Sequence, residues 1–161
     1  MSSPLIEEAL RYLGAADAPE TLRRQVAGEA ETLSAQFRPR HVCKVCELDF
    51  QGEEIFLRGT AVVLKSRTAL KMLAQCHRAA LLACTLGARF DLALTAMQAR
   101  DMARAVILDA CGSALVEQGC DEAEKELSAR FPGRYLTDRF SPGYGDLPLE
   151  LQRDICAALD T

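Results

Sequence analysis

Residues 139 to 146 read RFSPGYGD and gather ligand-handling chemistry in one short span. Arg139 offers a planar fork that matches a carboxylate or phosphate, and Tyr144 offers a flat ring for an adenine or a cation. Gly143 and Gly145 open backbone angles closed to other residues and let a ligand approach the main chain, while Pro142 fixes a dihedral beside them. The plain alternative is a tight turn; the company of Arg139 and Tyr144 points instead to a structured loop for a small anionic or zwitterionic ligand. A second candidate is Glu117. Counted back by helical steps, it shares a face with Ser113, Ala110, Val106 and Ala103, which are small and mostly apolar. A glutamate there either points into a cleft or sits at the rim with its carboxylate in water. Cys43 and Cys46 form a Cys-x-x-Cys pair, but their segment is rich in β-formers, and residues three apart on a strand point to opposite faces. A zinc ion would also need two more ligands, and the chain has no second such pair. Reduced thiols, without metal or disulfide, are the expectation for all seven cysteines.

The elements that must position these residues follow from composition and periodicity. At 161 residues and 49% apolar content the chain suits a single domain with one sizeable core. A net charge of −4 excludes a sequence-independent grip on nucleic acid, which needs a basic face. No apolar run is long enough to cross a bilayer, and MSSPLIEEALRYLG carries acidic residues where a signal peptide would carry positive charge. A cytoplasmic protein with no membrane partner is therefore expected.

Ser3 and Pro4 predict the start of a first helix, with Ile6, Leu10 and Leu13 on one stripe and Gly14 as the stop. Pro19 opens a second, in which Leu22, Val26, Ala30, Leu33 and Phe37 recur until Pro39. From His41 to Leu64 the pattern changes to short β-rich pieces broken at Gly52 and Gly59, which predict antiparallel strands. Ser66 caps a helix through RTALKMLAQCHR, and AALLACTLG is either a buried strand or more helix. Asp91 and Asp101 read as helix caps, the second leading a long helix from residue 102 to the stop at Pro132 and Gly133. Its acidic end, DEAEKEL, reads as a solvated face. GRYLT looks like a strand and PLELQRDICAALD like a helix. The reading with fewest conflicts is one domain of the α+β class, with helices packed on a mixed, mostly antiparallel sheet.

The stretches LLACTLGARFD, RAVILDACGSALVE and RFSPGYGDLPLELQ, taken in that order, resemble the activation domain of vitamin B12-dependent methionine synthase, most of all its small free-standing members. Arg139, Gly143 and Tyr144 fit the family's Arg-x-x-x-Gly-Tyr signature. The Thr85 to Gly87 turn and the Asp109 to Ala114 segment add specificity. The likeness begins near RYLG at Arg11 and covers most of residues 1–161, fading where CKVC stands. Tyr144 is followed by Gly145, Asp146 and Leu147, where the larger methionine synthases have Pro-x-Cys-Pro. The family's further strand and Pro-x-Lys-Ser loop have no counterpart before Thr161, so a chain lacking the family's C-terminal segment, with an open strand edge, is expected.

The resemblance implies a module that binds S-adenosylmethionine and supports reductive methylation, and so reactivation, of the cobalamin of a methionine synthase or related corrinoid methyltransferase. The implied binding set is Glu117, Arg139, Ser141, Gly143, Tyr144 and Gly145. Arg139 would pair with the methionyl carboxylate, Tyr144 would lie between nucleoside and corrin, and Glu117 falls where a family glutamate sits near the ligand. Cobalamin would come only on a partner protein, because the chain has no cobalt-ligating Asp-x-His-x-x-Gly segment. The electron would come from a flavodoxin-like or ferredoxin-like donor. No residue is expected to act as a catalytic acid or base. The alternative is a non-catalytic S-adenosylmethionine-binding or regulatory protein.

Overall fold

The computed structural model describes residues 3–161. The order is α1 (Pro4–Tyr12), α2 (Glu20–Gln36), β1 (Arg40–Gln51), β2 (Glu54–Leu57), β3 (Val63–Leu64), α3 (Arg67–Leu73), β4 (Arg78–Thr85), α4 (Ala88–Gln98), α5 (Met102–Arg130) and α6 (Leu151–Ala158). The class is α+β, as the sequence predicts. Contacts divide the chain into two compact units, a helical one of Met1–His41 with Cys84–Glu122 and a sheet-bearing one of Val42–Ala83 with Ala123–Thr161.

In the helical unit α1 begins at Pro4, whose missing N–H costs nothing at a helix start, and the chain turns at Gly14 with φ of 64°. Its buried Ala9 and Leu10 meet Val26, Ala30 and Leu33 of α2, then Phe90 of α4 and Leu108, Cys111, Ala114 and Leu115 of α5. The rings of Phe37 and Phe90 meet edge to face with centroids 5.7 Å apart. Asp101 caps α5, its carboxylate accepting the Arg104 backbone N–H at 3.0 Å.

In the sheet the strand order is β3-β2-β1-β4, so AALLACT is a strand. β1 and β2 pair antiparallel from Leu48 opposite Leu57 to Gln51 opposite Glu54, which leaves a two-residue hairpin loop. Gly52 stands first in that loop with φ of 61°, where this class of turn requires glycine. β2 and β3 also pair antiparallel, Ile55 opposite Leu64. Ile55, Leu57, Val62, Leu64 and Leu81 form the core of this unit with Ala69 and Leu73 of α3 and Leu151 and Leu159 at α6. Cys46 joins that core at 3% exposure whereas Cys43 is half-buried; both are free thiols on β1.

Four sequence expectations are corrected. The helix that Ser66 caps ends at Leu73, and the end of RTALKMLAQCHR leaves it and reaches β4 at Arg78. GRYLT, residues 133–137, forms no strand: it runs as irregular chain with Tyr135 fully in solvent. Asp91 does not cap α4; it lies in the first turn, and Gly87, with φ of 82°, holds the cap position. The last helix starts at Leu151 and not at Pro148, residues 148–150 forming a turn before it.

Candidate functional site

A cleft of about 330 Å³ opens in the helical unit. Tyr12 at the end of α1, Cys84 and Thr85 at the end of β4, Phe90 and Asp91 in the first turn of α4, and a stripe along α5 line it. That stripe is Asp109, Gly112, Ser113, Val116 and Glu117, positions that recur on one face of a 3.6-residue helix. Gly112 is required here: a Cβ at that position would lie 2.3 Å from Cζ of Phe90, so only glycine lets the ring close the floor against α5. The Thr85 hydroxyl accepts the Gly87 N–H at 2.9 Å and fixes the turn from β4 into α4.

Glu117 is half-buried, and its Oε1 accepts a long hydrogen bond from the Tyr12 hydroxyl at 3.4 Å. Partial burial, reinforced by the charge of Glu117, pushes the Tyr12 phenol above its ordinary pKa. The lining therefore holds three carboxylates, Asp91, Asp109 and Glu117, and among the described residues no lysine or arginine. Beside it, the Arg11 guanidinium lies 5.1 Å from the centre of the Tyr12 ring and within electrostatic reach of Glu117, so the acidic lining has a cation at its rim.

The glycine loop belongs to the other unit. It closes on itself through the Gly143 N–H to the Leu147 carbonyl at 2.8 Å, with the Tyr144 N–H to the Ser141 carbonyl at 3.0 Å. Gly143 and Gly145 adopt φ of 92° and 60°, the left-handed region that favours glycine. Leu147 anchors the loop in the sheet core at 4% exposure. The carboxylate of Asp146 accepts from Ser66 Oγ at 2.6 Å, from the Arg67 N–H at 2.7 Å and from the Thr68 N–H at 3.1 Å. Ser66 in turn accepts the Ala69 N–H at 3.0 Å, so two side chains from distant parts of the chain cap α3 together. Those hydrogen bonds, from Ser66 first and then Thr68 and Arg67, hold the Asp146 carboxyl well below the usual carboxylate range. Gly145 rests on the same helix start; a Cβ there would lie 2.7 Å from Thr68 Oγ1.

The loop thus brings Ser141, Gly143, Tyr144 and Gly145 together in one turn, with Tyr144 58% exposed. Arg139 is spoken for: its Nη1 pairs with Glu124 of α5 at 3.1 Å. Glu117 lies in the helical unit, on a face shared with Asp109, Gly112 and Ser113. Of its expected face-mates, Ala110 is buried in the helical core and Val106 is half in solvent. Sequence reasoning missed Tyr12, Asp91 and Asp109 as lining residues, although Asp109 stands two helical turns before Glu117 and the 3.6-residue period would have found it. It also missed the role of Asp146, for which no local pattern exists. Among the described residues no group of three or more His, Cys, Asp or Glu side chains is arranged to hold a metal ion. Compared with models of known protein families and with curated proteins, the chain matches none.

Proposed function

We propose that the protein is an S-adenosylmethionine-binding module that supports reductive reactivation of the cobalamin of a methionine synthase or related corrinoid methyltransferase. The observation that carries this reading is the cleft. Tyr12, the Thr85 turn, the Asp109 to Ala114 segment and Glu117 come from stretches of chain on which the resemblance to the activation domain rests, and they line one concave surface. A cleft of about 330 Å³ is within the size range of small-ligand sites. Its three carboxylates complement a ligand that carries both a sulfonium and an ammonium group.

S-adenosylmethionine brings an already activated methyl group, so the chain has no proton to move, and its task is to bind and orient. In this reading the cleft takes the ligand. The resemblance separately implies Arg139, here paired with Glu124, as an anchor for a carboxylate, and Tyr144, with its ring exposed, as a contact for the partner. Corrin and electron come from other proteins, a cobalamin-binding methionine synthase or corrinoid protein and a flavodoxin-like or ferredoxin-like donor, in the cytoplasm. No helix among the described residues is long and apolar enough to cross a membrane.

The test has two stages. Titration calorimetry with S-adenosylmethionine should give saturable, one-to-one binding; no binding overturns the proposal. Adding a Co(II) corrinoid protein and a reductant should then yield the methylated corrinoid spectrum only when the chain is present. Binding without that spectrum selects the non-catalytic, regulatory reading.

A further inference from the structure

Cys84 is the one thiol in the lining of the cleft, and its surroundings are specific. Its thiol hydrogen-bonds the Cys120 side chain and reaches the Val116 carbonyl at 3.6 Å. It is pressed against the turn of α5 that carries Cys120: a Cβ on Gly119 would lie 2.8 Å from its sulfur and 2.4 Å from Cβ of Pro39. Glycine at 119 is what allows this approach. Neither thiol is in a disulfide, both are half-buried, and both belong to the helical unit. Cys43 and Cys46, the pair that the sequence displays openly, are three apart on a strand, with Cys46 in the core and Cys43 half-buried.

We propose that Cys84 and Cys120 form a reversible thiol–disulfide switch in the wall of the cleft. With hydrogen peroxide as oxidant the chemistry balances simply. One thiolate attacks the peroxide oxygen, giving a sulfenic acid and hydroxide, and the hydroxide takes the proton that the thiol had lost to become water. The second thiol then displaces the sulfenic oxygen as a second water, and the sulfur–sulfur bond forms. Two thiols are oxidised, one peroxide is reduced, and a thiol reductant reverses the bond by exchange. Burial pushes the Cys84 thiol up, against the pull of its hydrogen bonds to Cys120 and the Thr85 backbone, so little thiolate is present and the first step is slow. The cross-link ties the end of β4 to α5 and fixes the cleft wall between Thr85 and Glu117.

The folded full-length chain is treated with hydrogen peroxide, quenched, and examined by intact mass, peptide mapping and amide hydrogen exchange. The expected product has lost two hydrogens, joins the Cys84 peptide to the Cys120 peptide, and returns to the starting mass with dithiothreitol. Neither Cys84→Ser nor Cys120→Ser should give it. Exchange across residues 84–91 and 109–117 should slow by at least about tenfold in the oxidised form. Thiols that stay alkylatable, or a first disulfide between Cys43 and Cys46, overturn the proposal. So does a cross-link that leaves exchange at the cleft unchanged. None of these readouts involves S-adenosylmethionine, so the switch and the proposed function stand or fall separately.

Discussion

In the helical unit three carboxylates line a cleft that holds no lysine or arginine among the described residues, whereas in the sheet-bearing unit the carboxylate of Asp146 is consumed by three donors at the start of α3. The two regions contain the same kinds of residue, glycines where backbone or ring must come close and acids beside hydroxyls. They differ in what those acids face. Where the chain itself supplies the donors, the acid is architecture. In the cleft, Glu117 takes the Tyr12 hydroxyl, and together with Asp91 and Asp109 it makes a concave surface acidic. By sequence the loop looked the richer site; the structure shows it hydrogen-bonded on itself and onto α3, with Arg139 paired to Glu124 and Tyr144 exposed, and shows a second, concave surface in the helical unit.

The largest effect should separate the two regions by stability. Phe90, 8% exposed, floors the cleft, and Phe90→Ala should cost about 3–5 kcal/mol in urea denaturation. Tyr144→Ala, at a site 58% exposed, should cost under about 0.5 kcal/mol. Equal losses would break the distinction between a packed floor and an exposed loop.

Next comes the loop's claim to a ligand. If Arg139 anchors a carboxylate, Arg139→Ala should weaken S-adenosylmethionine binding about tenfold to a hundredfold, and Arg139→Lys should be clearly impaired because a lysine cannot reproduce the fork. The ion pair with Glu124 has both partners about a third exposed, at 34% and 33%, so folding should lose no more than about 1 kcal/mol. Arg139→Ala binding like the parent while fully folded would reduce the loop to a scaffold alone.

A smaller change tests the cleft. Glu117→Gln keeps the shape and removes one negative charge, and calorimetry should show about a tenfold loss of affinity for the ligand. Circular dichroism should show an unchanged fold. Unaltered affinity would mean that the carboxylate only faces water.

The last effect is read along pH and belongs to Asp146. Its folded-state pKa is depressed, so the stability it contributes is complete above the ordinary carboxylate value of about 4 and is lost as pH falls through the lower folded value. Urea midpoints measured from pH 5 downwards should therefore fall more steeply for the parent than for Asp146→Asn. Parallel curves would show that the cap contributes nothing.

Most of the fold was legible because its signals are local. The stripe Val26, Ala30, Leu33, the stop at Gly14, the caps at Ser66 and Asp101 and the hairpin glycine each act within a few residues of themselves. AALLACT could not be resolved between strand and helix from its own apolar run; pairing along β1 decides it. Asp91 was misread because an acid in a helix's first turn is favoured by the dipole much as a cap is. GRYLT has β-forming side chains but is an exposed, unpaired stretch, and strand propensity without a partner builds nothing. At the candidate site Glu117 was visible through helical spacing, and Asp109 could have been by the same count. Tyr12 and the Asp146 cap were not, because the contacts that define them join residues 105 and 78 to 80 positions apart.

That last separation governs the order in which the molecule assembles. A helix of seven residues such as α3 is too short to persist in water by itself, and its first free N–H groups are met in part by a carboxylate 79 residues downstream. Closing so long a stretch of chain is slow compared with helix growth, so α3 and the glycine loop must become ordered together, after the C-terminal segment has been made and has come home.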